Sequence, residues 1–527
     1  MKKNICFVLL FIMILTLTAC GSSGGGDSAS PSESSGDGTK VFVYGADANS
    51  ATFDPCADLQ MRSGAFLLLA AGETLWTVDE KGEKIMKLAE SAEWTSDLVL
   101  TVKLREGVKY SNGNDFNADD VIYTIQHMQT TPRTEAMLAN IDMDATKALD
   151  DMTVEIVFKA YDAAFMDTLG NQGFSMLDKE SCDERGDFSW FIGTGPYKLA
   201  GDGVNDKSGW TESVEYHFVR NENYWGDAPY YDELYCKFYS EESTRYSDLV
   251  AGNLDAAYFS QATYINNIKD GTVDGATLAQ FEMPGVYGLT LAAGDGSNGA
   301  LKDINIRKAI AHGIDIESIV NEIGEGVYNV ADSVLTPNNW AYLNTGVYEF
   351  NAAQAKQDID KAGYSASKPL NLRLVAESTA FNLGVAEAVQ AYLSEVGINL
   401  DLSGMGDFST ILPRLIENDL EMSIGGPSNG SGNDPASVLQ QLGPMSNNGL
   451  LRVTDPSLAD LFNKGATTKD QAARVDIYKQ FQQKIHDDYL FIPMWVETLN
   501  YGVSDTHKSF SDAVNANCLL DPCKLTD

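Results

Sequence analysis

The chain has 527 residues, 75 Asp and Glu against 37 Lys and Arg, and a formal net charge of −38 at pH 7. So large an acidic excess excludes nucleic acid as a partner, because binding it needs clustered Lys and Arg, and it excludes docking on anionic lipid by charge. The roughly 490 residues that follow the N-terminal leader and its linker exceed one ordinary hydrophobic core, so two or more lobes are expected.

Lys2 and Lys3 open the chain, and Ile5 to Leu17 carries almost nothing polar. This is a charged n-region and an apolar h-region, too short and too terminal for a membrane span. The run stops at LTAC, residues 17–20, with Ala19 before Cys20 and Gly21 after it. This stretch resembles the lipobox of bacterial lipoproteins. The resemblance implies a signal peptide over 1–19, cleavage before Cys20, and lipid on the Cys20 sulfur and the new N-terminus. More than one acyl chain on one residue gives stable anchoring. Loss of Lys2 and Lys3 takes the charge from −38 to about −40. Residues 21–39, GSSGGGDSASPSESSGDGT, cannot form a core and read as a flexible tether. No later apolar stretch is long enough to span a bilayer. The body is expected to be extracytoplasmic, held at the cell membrane by its anchor.

Residues 40–47 alternate and predict a strand, as do 94–105 and 153–159. Between them, residues 106–113 turn at Asn112-Gly113. Residues 116–128 predict a helix capped by Asn117, with Asp119 and Asp120 in its first turn, where the helix dipole favours acids. From 301 the pattern changes to longer helices between short strands. Helices are predicted at 306–323, 351–363, 385–397, 408–418 and 469–488. Strands are predicted at 370–378, 398–404 and 420–426, with a strand-rich return over 491–504. Such alternation implies an α/β lobe with mostly parallel strands.

Chemical motifs are sparse. The five histidines, His127, His217, His312, His486 and His507, form no HExxH, and there is no GxxxxGK. The pattern GxSxG occurs at 21–25, inside the tether, and at 426–430, where no helix follows directly as a nucleophile elbow requires. No enzyme, cofactor or metal site is expected. Cys518 and Cys523 can form a disulfide if their compartment oxidises thiols. Cys56, Cys182 and Cys236 are scattered and read as small buried hydrophobes.

Several segments, taken in order, resemble the extracytoplasmic solute-binding proteins of ABC importers, in their oligopeptide, dipeptide and nickel-binding family. The stretch 100–128 carries Leu104, Arg105, Gly107, Gly113, Ala118, Asp120 and Val121 in the family's pattern. FIGTGPYKL (191–199), NENYWGDAPYYDEL (221–234), LVAGNLDAAY (249–258), IRKAIAHGIDIESIV (306–320), YEFNAAQAKQDIDKAGY (348–364) and AEAVQAYLSEVGI (386–398) follow. Together they cover nearly the whole mature chain. Tyr224 and Trp225 read as core or hinge packing. Arg105 is expected to orient its turn and pair with a carboxylate.

The resemblance implies an α/β, two-lobed periplasmic-binding-protein-like fold, type II and cluster C-like, with an extra subdomain in the first lobe. Its expected divisions are lobe I at 40–285, including the subdomain at about 76–205, lobe II at 286–493, and a return to lobe I at 494–527. It implies capture of a peptide or similar small solute by hinge closure and delivery to a permease driven by a cytoplasmic ATPase. Non-peptide transport (a sugar, a metal chelate or another small molecule) and a ligand-sensing receptor are the alternatives. A monomer is expected. In peptide binders of this family a buried Asp, in a Gly-Trp-x-x-Asp-x-x-x-Pro stretch, meets the ligand ammonium. The corresponding GGPSNGSGNDPAS (425–437) keeps Asp434-Pro435 but lacks the Trp and the acid. The candidate ligand contacts are Tyr258, Phe259, Trp340, Asn429, Asp434 and Trp495, each with core packing as its alternative; Asp434 also suits a helix start.

Overall fold

The computed structural model describes residues 38–47, 52–56, 62–78, 83–131, 134–185, 188–293, 299–406, 410–411, 414, 420–426, 434–442, 456–515 and 518–526. Cys20, Asn429 and most of the helix expected at 408–418 lie outside them.

Two long strands organise the molecule. Ala276–Leu291 has 16 residues and Phe491–Ser504 has 14, against a usual length of about 5–6. They pair antiparallel from Ala276↔Ser504 to Thr290↔Phe491. One half of this ribbon lies in lobe I. There Ala256–Phe259 joins residues 500–503, and Val41–Ala46, Glu233–Phe238, Glu215–Arg220 and Tyr197–Leu199 follow outward. The other half lies in lobe II. There Met422–Gly425 joins residues 288–291, and Leu370–Val375 and Ile398–Asp401 follow.

The ribbon is irregular where it passes between the lobes. Glu282 faces Thr498 and Val286 faces Val496, so Met283, Pro284 and Gly285 oppose Glu497 alone. Pro284 has no N–H to give the ladder, which places the bulge at this Pro-Gly pair. The register shifts again between Tyr287 and Gly288. A Cβ on Gly288 would stand 2.0 Å from the Ile492 carbonyl oxygen, and one on Gly426 would stand 1.9 Å from that of Val286. Both glycines are demanded by close backbone approach.

Lobe I carries a separate four-stranded antiparallel sheet, ordered Ala89–Ser96, Val99–Leu104, Thr153–Val157, Lys147–Asp150. Alternate residues Leu100, Val102 and Leu104 turn inward and pack with Trp76, Val121, Ile125 and Ile156. Helix Ala118–Thr130 covers this core. Its Asn117 side chain caps the first turn while Asp120 bonds back to the Asn117 backbone.

The expected strand 94–105 is instead a hairpin, because Asp97 and Leu98 turn the chain between Ser96 and Val99. The expected helix 306–323 is two helices, Ile304–Gly313 and Ile316–Ile323. Asp315 breaks it: its carboxylate accepts from Ser318 N at 3.1 Å and caps the second helix, a role Asp fills better than a helix interior. Cys518 and Cys523 are free thiols and form no disulfide. Their sulfurs are engaged elsewhere, Cys518 with Glu282 O at 3.2 Å and Cys523 with Leu69 O at 3.1 Å.

The motifs at 191–199 and 221–234 converge on one buried acid that neither contains. Glu73 Oε2 accepts from Thr194 Oγ1 at 3.0 Å and from Trp225 Nε1 at 2.8 Å. The Arg105 guanidinium lies over the Trp225 ring at 4.2 Å, and its Nε donates to Lys87 O. Burial pushes the Glu73 carboxyl up to about 7, against the opposing pull of the Trp225 and Thr194 donors. Gly193 and Gly195 stand against the end of helix Arg62–Ala71, where Cβ atoms would be 2.0 Å from Ala71 O and 2.7 Å from Ala71 C.

Replacing Gly288 by Ala is expected to destabilise the fold by about 2 kcal/mol or more, because both clashing groups are backbone. Gly113→Ala, at φ 98° with nothing within 4 Å, should cost only about 1 kcal/mol. Paired urea melts check the order.

Candidate functional site

Strand direction locates the cleft. Val41–Ala46 runs parallel to Glu233–Phe238 and to Ala256–Phe259, while Ala256–Phe259 is antiparallel to Phe491–Ser504. The carboxyl ends of these lobe I strands therefore point toward lobe II. In lobe II, Leu370–Val375 is parallel to Met422–Gly425, which runs antiparallel to Ala276–Leu291. Its carboxyl end, Gly425, faces Gly288 at the bulged crossing. In open α/β sheets ligands gather at such strand ends. Here two sets of ends converge on one crevice.

Contacts across the mouth of that crevice join the lobe I subdomain to lobe II. Ala163 N donates to Ala466 O at 2.9 Å. Lys469 pairs with Asp97 and lies over the Tyr161 ring at 5.1 Å. Ala164 packs into the lobe II cluster of Val286, Leu335, Tyr478 and Phe481. Asp167 accepts a hydrogen bond from the Asp434 backbone.

Behind this contact, helix Gln471–Asp487 buries Arg474, Ile477, Tyr478, Phe481, Gln482 and Ile485, one stripe at helical spacing. Arg474 is the charge inside that stripe. Its Nη2 meets Asp434 Oδ1 at 2.6 Å, its Nε donates to Gly465 O at 2.9 Å, and its plane lies 5.2 Å from the Trp340 ring. Asp434 and Arg474 are each 6 % exposed. Asp434 also caps helix Pro435–Val438 through Ala436 N at 2.9 Å.

Asp162 and Asp167 face the same region. Burial first, opposed by the Ala164 backbone donor and reinforced by the negative charge of Asp434, raises the Asp162 carboxyl to about 6. Burial and the Asp434 charge raise Asp167 to about 7. Three carboxyl groups thus share the neighbourhood of one guanidinium.

The structure brings Trp340 and Asp434 together through Arg474 and places Trp495, Tyr258 and Phe259 apart from them, while Asn429 lies outside the described residues. Trp495 is 3 % exposed, stacked on Tyr287 at 5.6 Å and met edge-on by Phe381 at 5.0 Å. Tyr258 and Phe259 occupy opposite faces of their strand, Tyr258 packing toward Tyr501 and Phe259 toward Tyr246. Asp162, Asp167 and Arg474 did not stand out in the sequence. Arg474 had a readable signal, a cation at an apolar position of a helical stripe. The two acids had none, because their partners come from the other lobe.

Comparison with known proteins accords with this geometry. Residues 84–449 match the family described as bacterial extracellular solute-binding proteins, family 5 middle. The heme-binding protein A of Haemophilus influenzae is 26% identical over 444 residues, covering 77% of this chain and 78% of that protein. Among solved structures, the periplasmic binding protein DppA of Helicobacter pylori, in complex with the peptide STSA, has a TM-score of 0.77 at 21% identity, covering 92% of this chain and 98% of that one. NikA of Brucella suis, in complex with Fe(III)-EDTA, has a TM-score of 0.77 at 22% identity, covering 92% and 99%.

Two outcomes are expected of the mouth. Burial and the Asp434 charge raise Asp162 to about 6 and Asp167 to about 7 against an ordinary 3.8, and separating the lobes would relieve the part due to Asp434. Closure is therefore favoured at low pH, weakens as pH rises from about 4 through about 7, and levels off above. Small-angle scattering between pH 8 and pH 5 should show compaction that D162N/D167N removes. Arg474→Ala, which strands a buried Asp434, should cost about 3–5 kcal/mol, while R474M/D434N should recover most of that loss in thermal melts.

Proposed function

Because the chain belongs to the bacterial extracellular solute-binding proteins of family 5, the non-catalytic substrate-binding components of ABC importers, we propose that it captures a peptide or similar small solute in this crevice. Closure turns about the Met283-Pro284-Gly285 bulge and its partner Glu497, the wider of the two places where the ribbon between the lobes loses regular pairing. The lobes run 40–285 and 286–493, with 76–205 inserted in the first and 494–527 returning to it. Cys20 carries the lipid anchor, and the protein works as a monomer that presents the loaded, closed form to a membrane permease.

The observation that carries the ligand reading is the engagement of Asp434. Its carboxylate holds Arg474 at 2.6 Å and caps a helix. It has no net charge left to offer a ligand ammonium. Peptide capture here rests on main-chain hydrogen bonding at the strand ends, with roomy side-chain pockets, rather than on a salt bridge to the peptide N-terminus. Trp340, beside Arg474, and Asn429, in the segment after Gly426, are the contacts we assign to the crevice. Tyr258, Phe259 and Trp495 support it from the core. The relatives bind a peptide in one case, heme in another and a metal chelate in a third, so solute classes other than peptide remain within the family's reach.

Ligand released on denaturing natively purified protein, read by mass spectrometry, tests this. A ladder of short peptides is expected, and a single non-peptide species would replace the peptide reading while leaving the import role. For a peptide so found, N-acetylation should change affinity by less than about tenfold, or 1.4 kcal/mol. A larger loss would show that an acid does meet the ammonium.

A further inference from the structure

A second cluster lies in lobe I, away from the crevice mouth. Asp54, Cys56 and His127 each present one donor atom, and these atoms lie within 4.8 Å of one another. His127 Nε2 is 2.9 Å from Asp54 Oδ2. Asp54 and Cys56 are buried, Cys56 completely, and His127 is half-buried. The donors come from two places: the segment 52–56 that follows the first strand, and the last turn of helix Ala118–Thr130.

Each donor is held from behind. Asp54 N donates to Thr52 Oγ1 at 3.0 Å, and Asp54 Oδ1 accepts from Cys56 N at 2.9 Å. The Thr130 and Thr131 hydroxyls donate to His127 O at 2.8 and 3.0 Å, which fixes the end of its helix. The Phe188 ring covers the imidazole at 4.9 Å. These bonds fix the backbone from which the three side chains project.

We propose that Asp54, Cys56 and His127 bind one Zn2+ ion, or a borderline transition-metal ion of like preference. Thiolate, imidazole and carboxylate together suit zinc, whereas calcium and magnesium take oxygen alone. Tetrahedral zinc, with bonds of about 2.0–2.3 Å, sets its ligand atoms about 3.3–3.6 Å apart. The Asp54–His127 pair must therefore open by a few tenths of an ångström and the widest pair close by about 1 Å, within the reach of side-chain rotation. The ion takes the place of the hydrogen bond between Nε2 and Oδ2: the neutral imidazole binds through Nε2 with its proton on Nδ1, and the Cys56 thiol releases its proton to solvent. Strong negative charge over the whole chain raises the local concentration of cations. Bound there, the ion ties the segment after the first strand of lobe I to the inserted subdomain. The three positions show no zinc spacing in the sequence, since Asp54 and His127 lie 73 residues apart.

The test uses the full mature chain, freed of metal by chelator and titrated with Zn2+ and, in parallel, with Co2+. One ion per chain is expected, with a thiolate-to-cobalt charge-transfer band in the near ultraviolet and a higher melting temperature. Cys56→Ser should abolish the band, and His127→Gln should weaken binding at least ~10-fold. Cys236→Ser, a buried thiol in another part of lobe I, should change neither. Absence of one-to-one uptake by the unmodified chain, or a cobalt spectrum with no thiolate band, overturns the proposal without relying on any variant. So does equal affinity in folded Cys56→Ser and His127→Gln.

Discussion

The structure depends on one antiparallel ribbon, Ala276–Leu291 against Phe491–Ser504, that belongs to both lobes at once. Every other strand of the main sheet attaches directly or indirectly to one half of it. A regular ladder through the middle would weld the lobes, because every second facing pair would exchange two hydrogen bonds. The Pro284-Gly285 bulge removes that ladder over three residues while leaving the chain continuous. Rigidity is kept where each half packs into its own lobe core, and lost only between them. This is the arrangement hinge closure needs: a few residues absorb the dihedral change and two preformed bodies move. Gly288 and Gly426 belong to the same constraint. Their missing side chains let the backbone of Met422–Gly425 and of both ribbon strands draw together beside the bulge.

The acids of the chain fall into physically different groups. Glu73 is buried but met by two donors and sits within reach of Arg105, so it works as a joint between helix Arg62–Ala71, the Gly193–Gly195 turn and the Trp225 segment. Asp434 is buried and paired with the equally buried Arg474. A pair of this kind contributes little net stability, since desolvation offsets most of the attraction. Its effect is on geometry, because it locks helix Pro435–Val438 to helix Gln471–Asp487 at the edge of the crevice. Asp162 and Asp167 are different again. They are brought against the Asp434 charge by the contact between lobes, and the Arg474 guanidinium, already paired with Asp434, only partly offsets their burial.

Much of the fold was legible because its elements are local. The alternation in 99–104, the Asn117 cap and the strand–helix alternation after 301 are periodic signals that tertiary packing did not override. The misreadings were also local. The breaks at Asp97-Leu98 and Ile314-Asp315 are hidden in the sequence, because an apolar pattern persists on both sides of the turn or cap. The motifs in 191–199 and 221–234 were legible as markers but not as a mechanism. Their common partner, Glu73, lies more than a hundred residues away in a stretch with no motif of its own. Of the site candidates, Trp340 and Asp434 share a neighbourhood through Arg474, whereas Trp495, Tyr258 and Phe259 carry aromatic bulk that the core consumes.

The replacement of the family's cleft acid and Trp by a Gly-, Ser- and Asn-rich run then has a physical reading. Asp162, Asp167 and Asp434 already share one neighbourhood, and the buried Arg474 beside them is paired with Asp434. Like charges at low dielectric raise one another's pKa, and a further acid would stay protonated or hold the lobes apart. On the reading proposed above, selectivity falls on shape and main-chain hydrogen bonding, which tolerate many side chains. The acid that a dedicated ammonium site would require is the group this mouth is least able to accommodate.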